Sequence, residues 1–271
     1  MHWSAFDPWL LTATLAVGLL YGHGAQRLRG SGAVSRRHLT WFWLGMTFLM
    51  VSVAPPLEQL SGRLLSAHMV QHLLMVVVAA PLIAAGRPQI VVPAAFPPAA
   101  RQRLQRWRVR LRASSSTGAR PAALVALAAA HIVVVWAWHV PAAYEAALVT
   151  PWLHLLEHVT FLATATAVWV VLLTPTPRAR LGHGLGVLSM AAILMSGGAL
   201  GALLTLVSTP LYGHYTGSAQ WGLSALQDQQ LAGAIMWVPG GVFYGVVCAV
   251  LLVKWLRLLD GAAADGVIAG R

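Results

Sequence analysis

The sequence predicts an all-α bundle of seven membrane-crossing helices, on three observations. Of 271 residues, 58% are hydrophobic and 9% charged, with a mean hydropathy of +0.69; a soluble domain carries about a quarter charged residues. Apolar runs recur at lengths close to the ~20 residues needed to cross ~30 Å of hydrocarbon as a helix. Lipid satisfies no free backbone group, and β-barrel alternation is missing, which leaves helices.

The first span, Trp9–Gln26, lies in "MHWSAFDPWLLTATLAVGLLYG". It has no positive start, and Arg27 and Arg29 follow it. That charge order suits a retained first helix with its N-terminus outside rather than a cleaved signal. Leu39–Leu57 and Leu64–Ala85 read as the second and third spans. The long loop after them contains "PPAARQRLQRWRVRLR", in which Ala100, Leu104, Trp107 and Leu111 fall at helical spacing with arginines around the rest. Residues 97–112 therefore read as a short helix opened by Pro97 and Pro98 on anionic lipid headgroups, or as plain topology-setting charge. The remaining spans are Pro121–Val140, Trp152–Thr174, Leu185–Val207 and Gln230–Leu256. In the sixth, the small residues of "MSGGALGALLTL" permit close helix packing. Residues 1–257 form one membrane domain, and 258–271 are expected to be a disordered cytoplasmic tail.

Charge then gives direction. Seventeen of the 18 Lys and Arg residues fall in alternate loops and at the C-terminal end, against Arg63 alone on the other side. The positive-inside rule places the N-terminus outside and the C-terminus inside. The +11 net charge is thus a topology signal and not a nucleic-acid surface. One cysteine, Cys248, makes neither an internal disulfide nor a cysteine-rich metal site.

With direction fixed, polar residues can be compared by depth. The third span enters from outside near Leu64, so His68 lies ~6 Å and His72 ~12 Å down. The fifth also enters from outside and carries "PWLHLLEHVTF", with His154 and His158 four apart and Glu157 beside them. The fourth leaves on that side with His139 at its outer end and His131 two turns deeper. The seventh begins there, with Asp228 at the mouth. Residues i and i+4 share a helix face, so each pair can aim both rings at one point. Imidazole is the commonest protein ligand for copper or zinc, and a nearby carboxylate fixes its tautomer or neutralises charge. His68, His72, His154, His158, His139, Glu157 and Asp228 form the candidate metal-binding set. Asp228 has an equal reading as a helix N-cap, and His131 reads as an interhelical hydrogen-bond partner. Met69 and Met236 are soft donors for copper(I) or packing. His2, His23, His38, His183 and His214 read as solvated.

The segments "HMVQHLLMVVVAAPLIAAGRP", "WHVPAAYEAAL", "HLLEHVTFLATATAVW" and "DQQLAGAIMWVPGG", in this order, resemble the seven-span CtaG-like cytochrome c oxidase assembly factors of bacteria. The resemblance runs from about the second span to the seventh, and the motif positions fall on the same seven residues. It implies a non-enzymatic role in the bacterial cytoplasmic membrane, supplying copper to an oxidase subunit on the outer side. A copper transporter needs polar residues continuing inward, where the third and fifth spans turn apolar. A haem-binding electron carrier would use histidines of those spans as axial ligands. A retinal protein needs a lysine deep in a helix, and the one lysine, Lys254, lies at the inner end of the seventh span.

Overall fold

The computed structural model describes residues 8–103, 119–174 and 179–269. His2, the end of the basic segment (including Leu104, Trp107 and Leu111) and residues 270–271 lie outside them.

Long helices stand at all seven expected places: α1 (Pro8–Arg27), α2 (Arg36–Val53), α4 (Leu65–Ala85), α6 (Ala119–His139), α8 (Pro151–Leu173), α9 (Ala179–Leu206) and α10 (Ala225–Ala269). Between them lie the short helices α3 (Leu57–Ser61), α5 (Pro88–Ala94) and α7 (Pro141–Val149), and a 3₁₀ turn at Thr216–Trp221. Among the described residues, five helices are long and apolar enough to cross a membrane: α4, α6, α8, α9 and α10. The outward faces agree with a lipid surround. Leu19 is 75% exposed, Leu188 64%, Met195 71% and Val242 64%, a greasy exterior that water would penalise.

Local chemistry sets the boundaries. α2 starts at a capping box in which the Ser35 N–H donates to His38 Nδ1 at 3.1 Å. It was expected to reach Leu57, but Pro55 and Pro56 end it at Val53 because they offer no N–H to continue the ladder. In α4 the turn Leu74–Ala79 is π-helical; Pro81 follows it and cannot donate to the carbonyl four residues back, which a widened turn absorbs. The basic segment turns helical at Pro98 and is helical through Arg103. The 258–271 tail expected to be disordered is instead a continuation of α10 as far as Ala269; the alanines at 262–264 favour helix over irregular chain.

α4 is the central helix, packed against α2, α8 and α10. Tyr21, Phe42, Met46 and Met75 join α1, α2 and α4 in one apolar cluster, and Ala84, Leu124, Val168, Trp169 and Met190 join α4, α6, α8 and α9 in a second. α9 and α10 approach almost backbone to backbone: a Cβ on Gly233 would lie 2.6 Å from the Gly201 carbonyl oxygen. The result is a rigid frame that brings the starts of α4, α8 and α10 and the end of α6 to one end of the bundle.

Candidate metal centre

His68 is the fourth residue of α4 and His154 the fourth of α8; His72 and His158 follow one turn deeper. The equal offsets put the two pairs face to face. Ring centroids are 4.3 Å apart for His68–His72, 4.2 Å for His154–His158, 5.6 Å for His68–His154 and 5.3 Å for His72–His158. All four rings are buried. Ligand atoms of His68, His154 and His158 lie within 4.8 Å of one another, and so do those of His68, His72 and Glu157. His68 belongs to both groups.

Glu157 is fully buried, with Oε1 3.9 Å from His72 Nε2. Neither its oxygens nor His68 Nε2, His72 Nδ1, His72 Nε2 and His158 Nε2 have a hydrogen-bond partner. Buried polar atoms are ordinarily paired because desolvation alone costs each about 1–3 kcal/mol. So many converging lone pairs suit a cation, and imidazole with carboxylate is a donor set for copper or zinc.

Two members of the predicted set stand elsewhere. Asp228 sits at the start of α4: its Oδ2 accepts from the Leu65 N–H at 2.7 Å, and its Oδ1 from the Ser66 N–H at 3.1 Å and the Ser66 hydroxyl at 2.5 Å. It caps the helix that carries His68 and His72, not its own helix, and belongs to neither ligand group. Negative charge is favoured at that helix end by the unpaired N–H groups and the macrodipole. His139 is also separate. It belongs to neither ligand group, and its ring is 6.3 Å from those of Phe161 and Tyr144, which pack against His72 and His68. His131 bonds Thr164 Oγ1 at 2.9 Å across helices, as expected from the sequence.

The pattern reading missed a tyrosine cap. Tyr215, in the connection after α9, lies with its Oη 3.3 Å from His68 Nδ1 and 2.9 Å from Tyr144 Oη. Burial holds the Tyr215 and Tyr144 phenols well above their ordinary range, so both keep their protons. Tyr212 Oη donates to the His139 carbonyl at 2.9 Å. Gln71, between the two α4 histidines, is fully buried and donates to Glu58 Oε2 at 2.5 Å. The available signal was the aromatic run "PLYGHYTG" on the side of the bundle where the histidines gather.

Residues 19–258 match the family model of the cytochrome c oxidase caa3 assembly factor, Caa3_CtaG. The chain belongs to that family. No curated protein and no solved structure is significantly similar to it. Membership connects this multi-pass helical protein to cytochrome c oxidase assembly, and the histidine cluster falls inside the matched region.

Proposed function

We propose that this Caa3_CtaG family member is a non-enzymatic assembly factor of the bacterial cytoplasmic membrane that holds copper at the His68–His72–His154–His158 cluster and delivers it to an oxidase subunit. The observation that carries the reading is the convergence of four buried imidazoles and Glu157 at one end of the bundle, with lone pairs left over. α1 and α2 complete seven spans, and the arginine distribution puts the N-terminus and the cluster outside and the C-terminus inside.

Copper is the cargo here. It would be held by imidazoles from α4 and α8, with Glu157 offsetting its charge. Tyr215 is placed to select the right tautomer: when the His68 Nδ1–H donates to its oxygen, His68 Nε2 is left as a lone pair. Few soft donors face the cluster, so binding is weak enough for release. The apolar packing of Ala80, Ala84, Ala165 and Val168 beneath it supports hand-off at the outer face over transport across the bundle.

The test is metal analysis of purified protein beside oxidase copper content in cells, for the parent and for His68→Ala with His72→Ala. The double variant should lose bound copper and lower oxidase activity at unchanged membrane abundance. Normal copper in both the variant and the oxidase would overturn the proposal, and a haem Soret band in the parent would replace it with the electron-carrier reading.

A further inference from the structure

A cavity of about 90 Å³, walled in part by His72 of the histidine cluster, lies between α4, α6, α9 and α10. That is several times the roughly 10–15 Å³ that one water needs on the same measure. It runs from Met69 to Val77 on α4 and from Met236 to Tyr244 on α10, a length of about 12 Å at 1.5 Å per residue. It reaches the outside of the bundle at Trp237, which lines it and is 42% exposed. Glycines keep it open: a Cβ at Gly197, Gly198 or Gly240 would meet nothing within 4 Å.

The polar atoms at its edge have a definite sense. His139 lines the cavity, and its Nδ1 is 2.7 Å from the Val135 carbonyl, which only accepts. Nδ1 therefore carries the hydrogen, and in the neutral ring Nε2 is a lone pair. That Nε2 is buried and has no partner. His131 also lines the cavity and has the same tautomer. Thr164 gives its hydrogen to the Thr160 carbonyl at 2.7 Å, so the His131 Nδ1–H must donate to Thr164 Oγ1. Among the described residues no Lys, Arg, Asp or Glu lines the cavity.

Charge complementarity narrows the occupant. An anionic head would meet no cation, and a quaternary ammonium head no carboxylate. A metal at His139 would find fewer than three such ligands, because among the described residues His139 belongs to no cluster of three His, Cys, Asp or Glu donors. What fits is a neutral molecule that donates a hydroxyl hydrogen from an aromatic head, with Phe161, Trp237 and Tyr244 as ring-bearing walls and an apolar tail leading to lipid. We propose that this cleft is a binding site for a membrane hydroquinone, whose O–H donates to His139 Nε2. The proposal stands whether or not copper occupies the neighbouring cluster.

The test uses the full chain in lipid nanodiscs, with quenching of tryptophan fluorescence by a decyl-substituted benzohydroquinone and by its dimethyl ether, which has no hydroxyl to donate. The hydroquinone should bind saturably and about tenfold more tightly than the ether, the effect of one well-placed hydrogen bond. His139→Phe should abolish that preference. Gly240→Leu and Gly197→Leu, on separate helices, should each weaken both ligands at least tenfold by filling the cleft, with bound copper unchanged. Equal binding of hydroquinone and ether by the parent, or full affinity in both glycine variants, would overturn the proposal.

Discussion

Replacing Asp228 separates a capping residue from a metal ligand. In Asp228→Ala the Leu65 N–H, the Ser66 N–H and the Ser66 hydroxyl lose their acceptors together. Hydrogen bonds to a charged group contribute roughly 1.5–3 kcal/mol each, but the space that alanine leaves can admit water to the freed donors. The expected cost is therefore about 3 kcal/mol, at the low end for breaking a buried charged network. That is on the order of a hundredfold in the folded-to-unfolded ratio. Asp228→Asn keeps the shape and one accepting oxygen and should cost about half as much. Reversible unfolding in mixed micelles measures both, and metal content of the folded fraction is read beside it. Because His68 stands three residues past Leu65, copper loss should track unfolding. An alanine variant within 1 kcal/mol of the parent would refute the capping assignment, and an asparagine variant that loses copper at full stability would return Asp228 to the ligand set.

Glu157→Gln should lower copper affinity tenfold to a hundredfold, as loss of a metal's carboxylate neighbour does, while leaving thermal stability equal or higher because an unpaired buried carboxylate is removed; competition with a chelator reads the first and a melting curve the second. Tyr215→Phe should cost about 1 kcal/mol, the worth of a typical hydrogen bond, and weaken copper binding by releasing the His68 tautomer; unchanged binding would remove Tyr215 from the site. Gly233→Ala should destabilise the fold by about 1–3 kcal/mol, since its Cβ would lie 2.5 Å from Thr205 Oγ1 and 2.6 Å from the Gly201 carbonyl, and a melting point equal to the parent's would show that α9 and α10 can separate freely. Copper retention should fall as pH drops below about 6, because protons compete for imidazole lone pairs, and retention that stays flat to about pH 4.5 would exclude histidine ligands.

What the sequence determined by itself is whatever depends on local spacing. The apolar runs placed most ends of the seven long helices to within a few residues, because helix formation and proline interruption are properties of neighbouring residues; the exceptions are α2, cut short by Pro55 and Pro56, the early starts of α9 at Ala179 and α10 at Ala225, and the run of α10 past Leu256. The four-residue spacing of His68/His72 and of His154/His158, on two spans that both enter from the outer side, was likewise enough to predict that the rings gather at one depth. Tertiary structure decided the partners that lie far apart in the chain. Asp228 caps a helix 163 residues away, His139 stays outside both ligand groups, and Tyr215 reaches His68 across 147 residues. No periodicity encodes such pairings, because they depend on how helices rotate and approach once glycines such as Gly201 and Gly233 let backbones touch. The sequence brought the histidines to one depth; packing determined which of their neighbours could share an ion with them.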